Sequence, residues 1–266
     1  MATENTPKEE ITTRPLILIT NDDGYAAPGI HRLAEAVCHL GDVYVVSPTD
    51  PRSGQSAALT IGTPLRISEK ESDIDGVRFF TVNGTPVDCV KLALHAIVPR
   101  RPTVLFSGIN HGSNSGTAVT YSGTMGAVLE GCMVGIPSVG FSLLHHSMNA
   151  DFSMAIPYIK TIATEVLEKG LPAGVCLNVN IPAKVQPEGV RICRAAKGHW
   201  SEEYVRYLDP QGNPFYWLTG RFVDEEPEAT DTDEYWLKRS YISIVPVSPD
   251  LSFSDAAKEL SKRLEI

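Results

Sequence analysis

Nothing in the 266 residues approaches the ~18 consecutive apolar positions that a membrane-crossing helix needs. The first fifteen residues, MATENTPKEEITTRP, also lack the apolar core of an export signal. A soluble, cytoplasmic protein is the expectation. Cysteine is scarce: Cys38, Cys89, Cys132, Cys176 and Cys193 are odd in number, widely spaced and without a CxxC pair. That pattern excludes a disulfide framework and a zinc knuckle, and leaves small buried apolar side chains in a reducing compartment. Positive charge is short as well, with 23 Lys and Arg against 32 Asp and Glu, a formal net charge of −9. Nucleic-acid polymers need clustered basic residues, so they are excluded as partners. An anionic substrate must instead meet local positive charge, from a metal or from backbone N–H groups. There is no internal repeat and no low-complexity tract. At 42% hydrophobic and 21% charged residues, the chain has the composition of a self-folding globular protein.

What is present is an alternation of strand and helix patterns. After a polar arm, residues 1–14, taken as flexible, the run Leu16 to Thr20 is continuously apolar and suits a strand buried on both faces. It stops at Asn21-Asp22-Asp23-Gly24. Gly29 to Leu40 carries Ile30, Leu33, Ala34 and Val37 on one helical face, with Gly41 as its stop, and Asp42 to Ser47 reads as a second strand. This βαβ unit implies a parallel sheet with a right-handed crossover. Leu59 to Ile67 reads as a strand or hairpin arm, Val77 to Val82 as a strand, and Val87 to Val98 as an amphipathic helix. Val104 to Ser107 is a short buried strand feeding a glycine-rich loop; Gly123 to Gly135 looks helical and Ser138 to Ser142 returns to the sheet. The fold class is therefore α/β, Rossmann-like and doubly wound, with ligands beyond the carboxyl ends of the strands. Residues 15–189 form its catalytic body. Residues 190–266 change texture, to short strands and aromatic clusters such as Tyr216-Trp217 and Tyr235-Trp236. They read as an extension with a hairpin or arm and a final helix, the arm packing on a second subunit. Within them, Asp224 to Glu234 reads as a solvated acidic loop.

Chemistry concentrates in the loops. Asp22 and Asp23 are costly neighbours at a buried strand's end unless a cation neutralises them, since each raises the other's pKa. The alternative is that Asn-Asp-Asp-Gly is only a turn. Later loops supply Arg52-Ser53-Gly54 and the run Ser107 to Asn114, rich in the hard oxygen donors that magnesium, manganese or calcium accept. Tyr121-Ser122-Gly123-Thr124 opens a helix, where a phosphate can sit on N–H groups and the helix dipole, or where Ser122 is simply an N-cap.

These pieces, with Gly84-Thr85-Pro86, Asp88-Cys89, Thr230-Asp231 and Tyr241 to Ile244, resemble in order and spacing the SurE survival proteins, the 5′/3′-nucleotidases. The similarity runs from about residue 15 to 250. It implies a Rossmann-like domain, a C-terminal arm exchanged in a homodimer or homotetramer, and one divalent metal, magnesium or manganese, per subunit. Carried over position by position, Asp22, Asp23, Ser53 and Asn110 become the metal ligands, and Asn114 with Ser122, Gly123 and Thr124 lies around the phosphate. Asn21 and Gly54 adjoin that site. The family dephosphorylates nucleoside 5′- and 3′-monophosphates, and some members trim short polyphosphate. Many members carry an acidic residue where this chain has Thr117-Ala118-Val119, which bears on substrate preference or loop geometry.

In the expected mechanism Asp22 orients or deprotonates the attacking water and Asp23 is mainly a ligand, while His111 can reach a leaving group or serve structurally. Two other readings compete. A non-catalytic receiver-like or nucleotide-binding module would need a phosphoacceptor Asp where this chain offers Ser53 and Asn110. A dinucleotide oxidoreductase would need G-x-G-x-x-G where it has Asn-Asp-Asp-Gly.

Overall fold

A computed structural model describes residues 14–264. The N-terminal arm, apart from Arg14, lies outside the described residues. Strand β1 (Leu16–Thr20) is wholly buried, and helix α1 (Pro28–Val37) follows it, then β2 (Asp42–Pro48). Strand β3 (Ile67–Lys70), β4 (Val77–Val82) and α2 (Pro86–Leu92) come next. They are followed by β5 (Val104–His111), α3 (Gly123–Met133), β6 (Ser138–Leu143), α4 (Ile156–Lys169) and β7 (Cys176–Ile181). After these come β8 (Val190–Ile192), β9 (Gly198–Ser201), β10 (Tyr204–Leu208), β11 (Pro214–Leu218) and β12 (Arg221–Asp224). Helix α5 (Asp233–Leu237), β13 (Ile242–Val247) and α6 (Ser254–Arg263) end the described chain.

One nine-stranded sheet runs β3-β4-β2-β1-β5-β6-β7-β13-β8. The six strands from β4 to β7 are mutually parallel, β3 and β13 run antiparallel to their inner neighbours, and β8 is parallel to β13. The chain therefore starts at the centre with β1, winds outward through β2 and β4, then crosses back to β5 and winds the other way. That reversal between β1 and β5 leaves a crevice at their carboxyl ends, where ligands bind in open α/β sheets.

Alternation along β1 builds both layers, as period-2 side chains must. Ile17 and Ile19 pack with Ile30, Leu33 and Val37 of α1 and Ile159 and Ala163 of α4 on one face. Leu18 on the other face meets Cys89 and Val90 of α2 and Met125 and Val128 of α3. Helix α1 seats closely: a Cβ on Gly29 would lie 2.0 Å from the Ile109 carbonyl oxygen. Thr85 and Asp88 form a capping box on α2, and Asp88 also accepts from the Thr60 N–H, which ties the 59–61 loop to the body. That loop is irregular and exposed, and of the expected 59–67 strand or hairpin arm only Ile67 is in a strand, as the first residue of β3 (Ile67–Lys70). The free pairing partner lies on β4, so strand pairing begins where the chain reaches it.

Beyond residue 190, β8 and β13 join the main sheet while β9 with β12 and β10 with β11 form two antiparallel pairs along one projecting arm. Tyr204, Tyr207, Tyr216, Trp217 and Leu218 stand exposed at its tip. No described helix is long and apolar enough to cross a membrane.

Candidate active site

The crevice is built from the turns that end β1, β2, β5 and β6. The Asn21 side chain donates from Nδ2 to the Gly24 carbonyl at 2.9 Å, folding the chain back after β1. Gly24 has φ +87°, which an L side chain resists, and a Cβ there would sit 3.1 Å from the Asp50 carbonyl carbon. This turn presents Asp22 and Asp23 across the sheet edge. The Arg52 N–H donates to the Asp22 carbonyl at 2.7 Å, so the loop after β2 is fastened to the same turn.

Asp22 is 3% exposed. The Thr124 hydroxyl at the start of α3 donates to its Oδ1. Burial above all, then the charge of Asp23, push the Asp22 carboxyl up to about 6, against the lowering effect of the Thr124 bond. Gly123 gives room for this approach, since a Cβ on it would be 2.8 Å from the Asp22 Cβ. Asp23 accepts the His111 backbone N–H at Oδ2 (3.0 Å). Its carboxyl is also raised by burial, with that hydrogen bond and the nearby His111 and His146 opposing.

Pairing of β5 with β6 slips between Ser107 and Asn110, and such irregularities re-aim side chains beside sites. Asn110 emerges there with its amide nitrogen donating to the Gly112 carbonyl (2.9 Å), which leaves Oδ1 as the ligand-capable atom. Around these groups Thr20 Oγ1, Asn21 Oδ1, Ser47 Oγ and Ser107 Oγ are buried without a hydrogen-bond partner. Among the described residues no three His, Cys, Asp or Glu side chains cluster as a metal site. Two raised carboxylates, surrounded by neutral oxygens lacking partners, suit a hard cation that accepts oxygen ligands and do not suit a thiolate or imidazole metal.

Of the residues expected from the sequence, Asp22, Asp23, Asn110, Gly123 and Thr124 converge in this crevice. Ser122 caps α3, its hydroxyl accepting the Met125 N–H at 3.1 Å, so the N-cap reading holds while the helix N-terminus still faces Asp22. Ser53 and Gly54 stand exposed on the loop that Arg52 fastens, with no recorded contact to either carboxylate. Asn114 is buried, and its amide nitrogen donates to Ser142 Oγ at 2.8 Å. The His111 ring pairs through Nδ1 with the Ser147 carbonyl at 3.0 Å and packs edge-on to Phe152, while its Nε2 is buried without a hydrogen-bond partner.

Sequence reasoning missed the support of this loop. Asn180 Oδ1 accepts the Asn114 N–H at 2.8 Å, and Asn178 donates to the Asn114 carbonyl at 2.8 Å. Asn178 and Asn180 stand out as polar positions inside the apolar strand CLNVNI, which was the available signal. The solvated reading of Asp224 to Glu234 also needs correction, because Thr232 and Asp233 are fully buried. Asp233 accepts backbone N–H bonds from Gly116, Ala196 and Glu234, each at 2.8 Å, and Glu234 accepts from Ser115 Oγ at 2.6 Å. An acidic run looks solvated from composition alone; only long-range contacts show which member turns inward.

The family model described as "Survival protein SurE" matches residues 17–202. A "5'-nucleotidase SurE" from Christiangramia forsetii is 49% identical over 253 residues, covering 93% of this chain and 96% of that protein. One of the same description from Phocaeicola vulgatus is 47% identical over 247 residues, covering 93% and 96%. Among solved structures, the SurE protein from Aquifex aeolicus superposes with a TM-score of 0.78 at 35% identity, covering 93% of this chain and 99% of that one. With the reversal crevice, the paired aspartates and the α3 N-terminus in place, these matches settle the relationship: the chain belongs to the SurE family.

Proposed function

We propose that this chain is a metal-dependent 5′-nucleotidase that hydrolyses nucleoside 5′- and 3′-monophosphates to nucleoside and phosphate, with short polyphosphate as a further substrate class. The observation that carries the reading is Asp22 and Asp23, two carboxyls raised by burial at the sheet's reversal point, with the N-terminus of α3 held against Asp22. The relatives' shared description as 5′-nucleotidases supports it.

Asp22, Asp23, Ser53 and Asn110 are the residues that would hold one magnesium or manganese ion, which supplies positive charge against the phosphate oxygens and polarises the phosphoryl group. The protein's own groups do the rest. Asp22, buried and held in one orientation by the Thr124 hydroxyl, is suited to orient the attacking water and take its proton. The Thr124 hydroxyl fixes the orientation of that carboxylate, and the His111 N–H fixes Asp23. Asn21, Gly54, Asn114, Ser122, Gly123 and Thr124 surround the phosphate, with the α3 dipole favouring its charge. Phosphoryl transfer needs positioning and charge stabilisation more than covalent help, which this set can offer.

Residues 15–189 form the catalytic body and residues 190–266 the extension. The exposed aromatic tip of the arm supports packing against a second copy in a dimer or tetramer, because an isolated two-stranded hairpin is marginal in water. A cytoplasmic location accords with the unpaired cysteines. The test is phosphate release from a panel of nucleoside 5′- and 3′-monophosphates with manganese, magnesium or neither, beside Asp22→Asn. Metal-dependent release that the substitution abolishes is the expected result. No release by the folded wild type with any metal refutes the function.

A further inference from the structure

Beside the metal crevice lies a second cavity of about 340 Å³. Its walls are Leu144, Trp200, Phe222 and Leu237, its floor includes Ser113 and Ser115, and Glu234 and Lys238 mark its polar end. We propose that this cavity is the nucleoside subsite, with the Trp200 ring as the stacking surface for the base and Glu234 accepting a hydrogen bond from a nucleoside donor. The proposal rests on the nucleotidase reading and deepens it.

Position argues first. The metal crevice is centred on β1 and β5, and Leu144 follows β6 directly. Strands are about 4.8 Å apart, so Leu144 lies between one and two strand spacings from the ends of β5 and β1, a span of the order of a sugar between a phosphate and its base. The Ser113 to Ser115 turn is common ground: it follows directly on Gly112, whose carbonyl accepts the Asn110 amide, and Ser113 and Ser115 line the cavity. His146 joins the two in the same way. It lines the cavity, and its ring lies so near Gly112 that a Cβ there would be 2.6 Å from the ring.

Chemistry argues second. Trp200 and Phe222 meet edge to face at 6.1 Å, and the Phe222 ring lies over Gly116, where a Cβ would be 2.8 Å away. This fixes the aromatic wall on the turn that adjoins the phosphate. Aromatic walls with a few convergent polar groups are the usual make-up of a small-molecule site, and every base offers a π-face to stack. Glu234 is held by Ser115 Oγ at one oxygen, and its other oxygen stands 3.9 Å from Lys238 Nζ, so its carboxylate is oriented and retains acceptor capacity.

The experiment compares wild type, Trp200→Phe and Trp200→Ala on adenosine 5′-monophosphate and on glycerol 2-phosphate, whose small alcohol has no ring to stack, with manganese present. Trp200→Ala is expected to lower kcat/KM for the nucleotide about tenfold, chiefly through KM, and to leave glycerol 2-phosphate within about twofold, the size of effect that one lost base–aromatic stack gives. Trp200→Phe retains most of the nucleotide activity. Equal loss on both substrates, as expected if Trp200 only supports the fold or a subunit contact, overturns the proposal, and so does no loss on either. If wild type hydrolyses neither ester, the nucleotidase reading fails and the subsite is judged by binding: adenosine must quench tryptophan fluorescence in wild type and not in Trp200→Phe, or the subsite fails too.

Discussion

Asp233 sits in the most acidic stretch of the chain yet is fully buried, its hydrogen bonds among the described residues all coming from backbone N–H groups, and replacing it distinguishes an anchor from a surface charge. Oδ2 accepts the Gly116 N–H, while Oδ1 accepts those of Ala196 and Glu234. Hydrogen bonds to a charged acceptor are each worth about 1.5–3 kcal/mol. Desolvation takes part of this back, as the upward shift of the Asp233 carboxyl shows, burial being its largest cause. Asp233→Ala leaves three N–H groups without their acceptor, and we set the loss at about 3 kcal/mol after that offset. Asp233→Asn keeps Oδ1 for two of the bonds but turns an amide donor toward the Gly116 N–H, so roughly half that loss is expected. Glu228, exposed in the same stretch, is the control, and Glu228→Gln should stay within about 0.5 kcal/mol. Urea unfolding at fixed pH measures all three. Because the Gly116 bond secures the turn that carries Asn114, phosphate binding should weaken in Asp233→Asn while manganese affinity holds. An Asp233→Ala variant as stable as Glu228→Gln would refute the reasoning.

Two further outcomes follow from the aspartate pair. Thr124→Val keeps the shape but removes the hydroxyl that opposes protonation of Asp22, and a charged hydrogen bond of about 1.5–3 kcal/mol corresponds to roughly one to two pH units. Manganese affinity by calorimetry should therefore fall about two- to tenfold at pH 7 and recover at pH 9, where the carboxyl is ionised in both proteins; an equal defect at both pH values would mean the hydroxyl acts by position alone. Folding raises Asp22 from 3.8 to about 6, so between those values the native state binds more protons than the unfolded state. Stability of the metal-free protein is accordingly greatest below the lower value and declines as pH rises through the higher one, by up to about 3 kcal/mol. Thermal unfolding with chelator across that range tests the sign, and Asp22→Asn should flatten it.

Much of this molecule was legible before its structure. The continuous apolar run Leu16 to Thr20 could only be an inner strand, the 3.6-residue spacing of Ile30, Leu33 and Val37 required a helix facing it, and NDDG at the junction marked where charge would gather. Local pattern sufficed because strand and helix periodicities depend on neighbours a few residues away. Other features depend on partners far along the chain. The register by which β13 closes onto β7, the burial of Asp233 under Gly116 and Ala196, and the seating of Asn114 between Ser142, Asn178 and Asn180 link residues 28 to 117 positions apart. No window of sequence contains both ends of such a bond. Sequence thus determined the parallel sheet and the aspartate pair at its edge, while tertiary structure alone decided which hydroxyl the buried Asp22 carboxyl accepts, that one acid in an acidic run turns inward, and that an aromatic cavity opens beside the site, because burial and long-range hydrogen bonding exist only once distant segments meet.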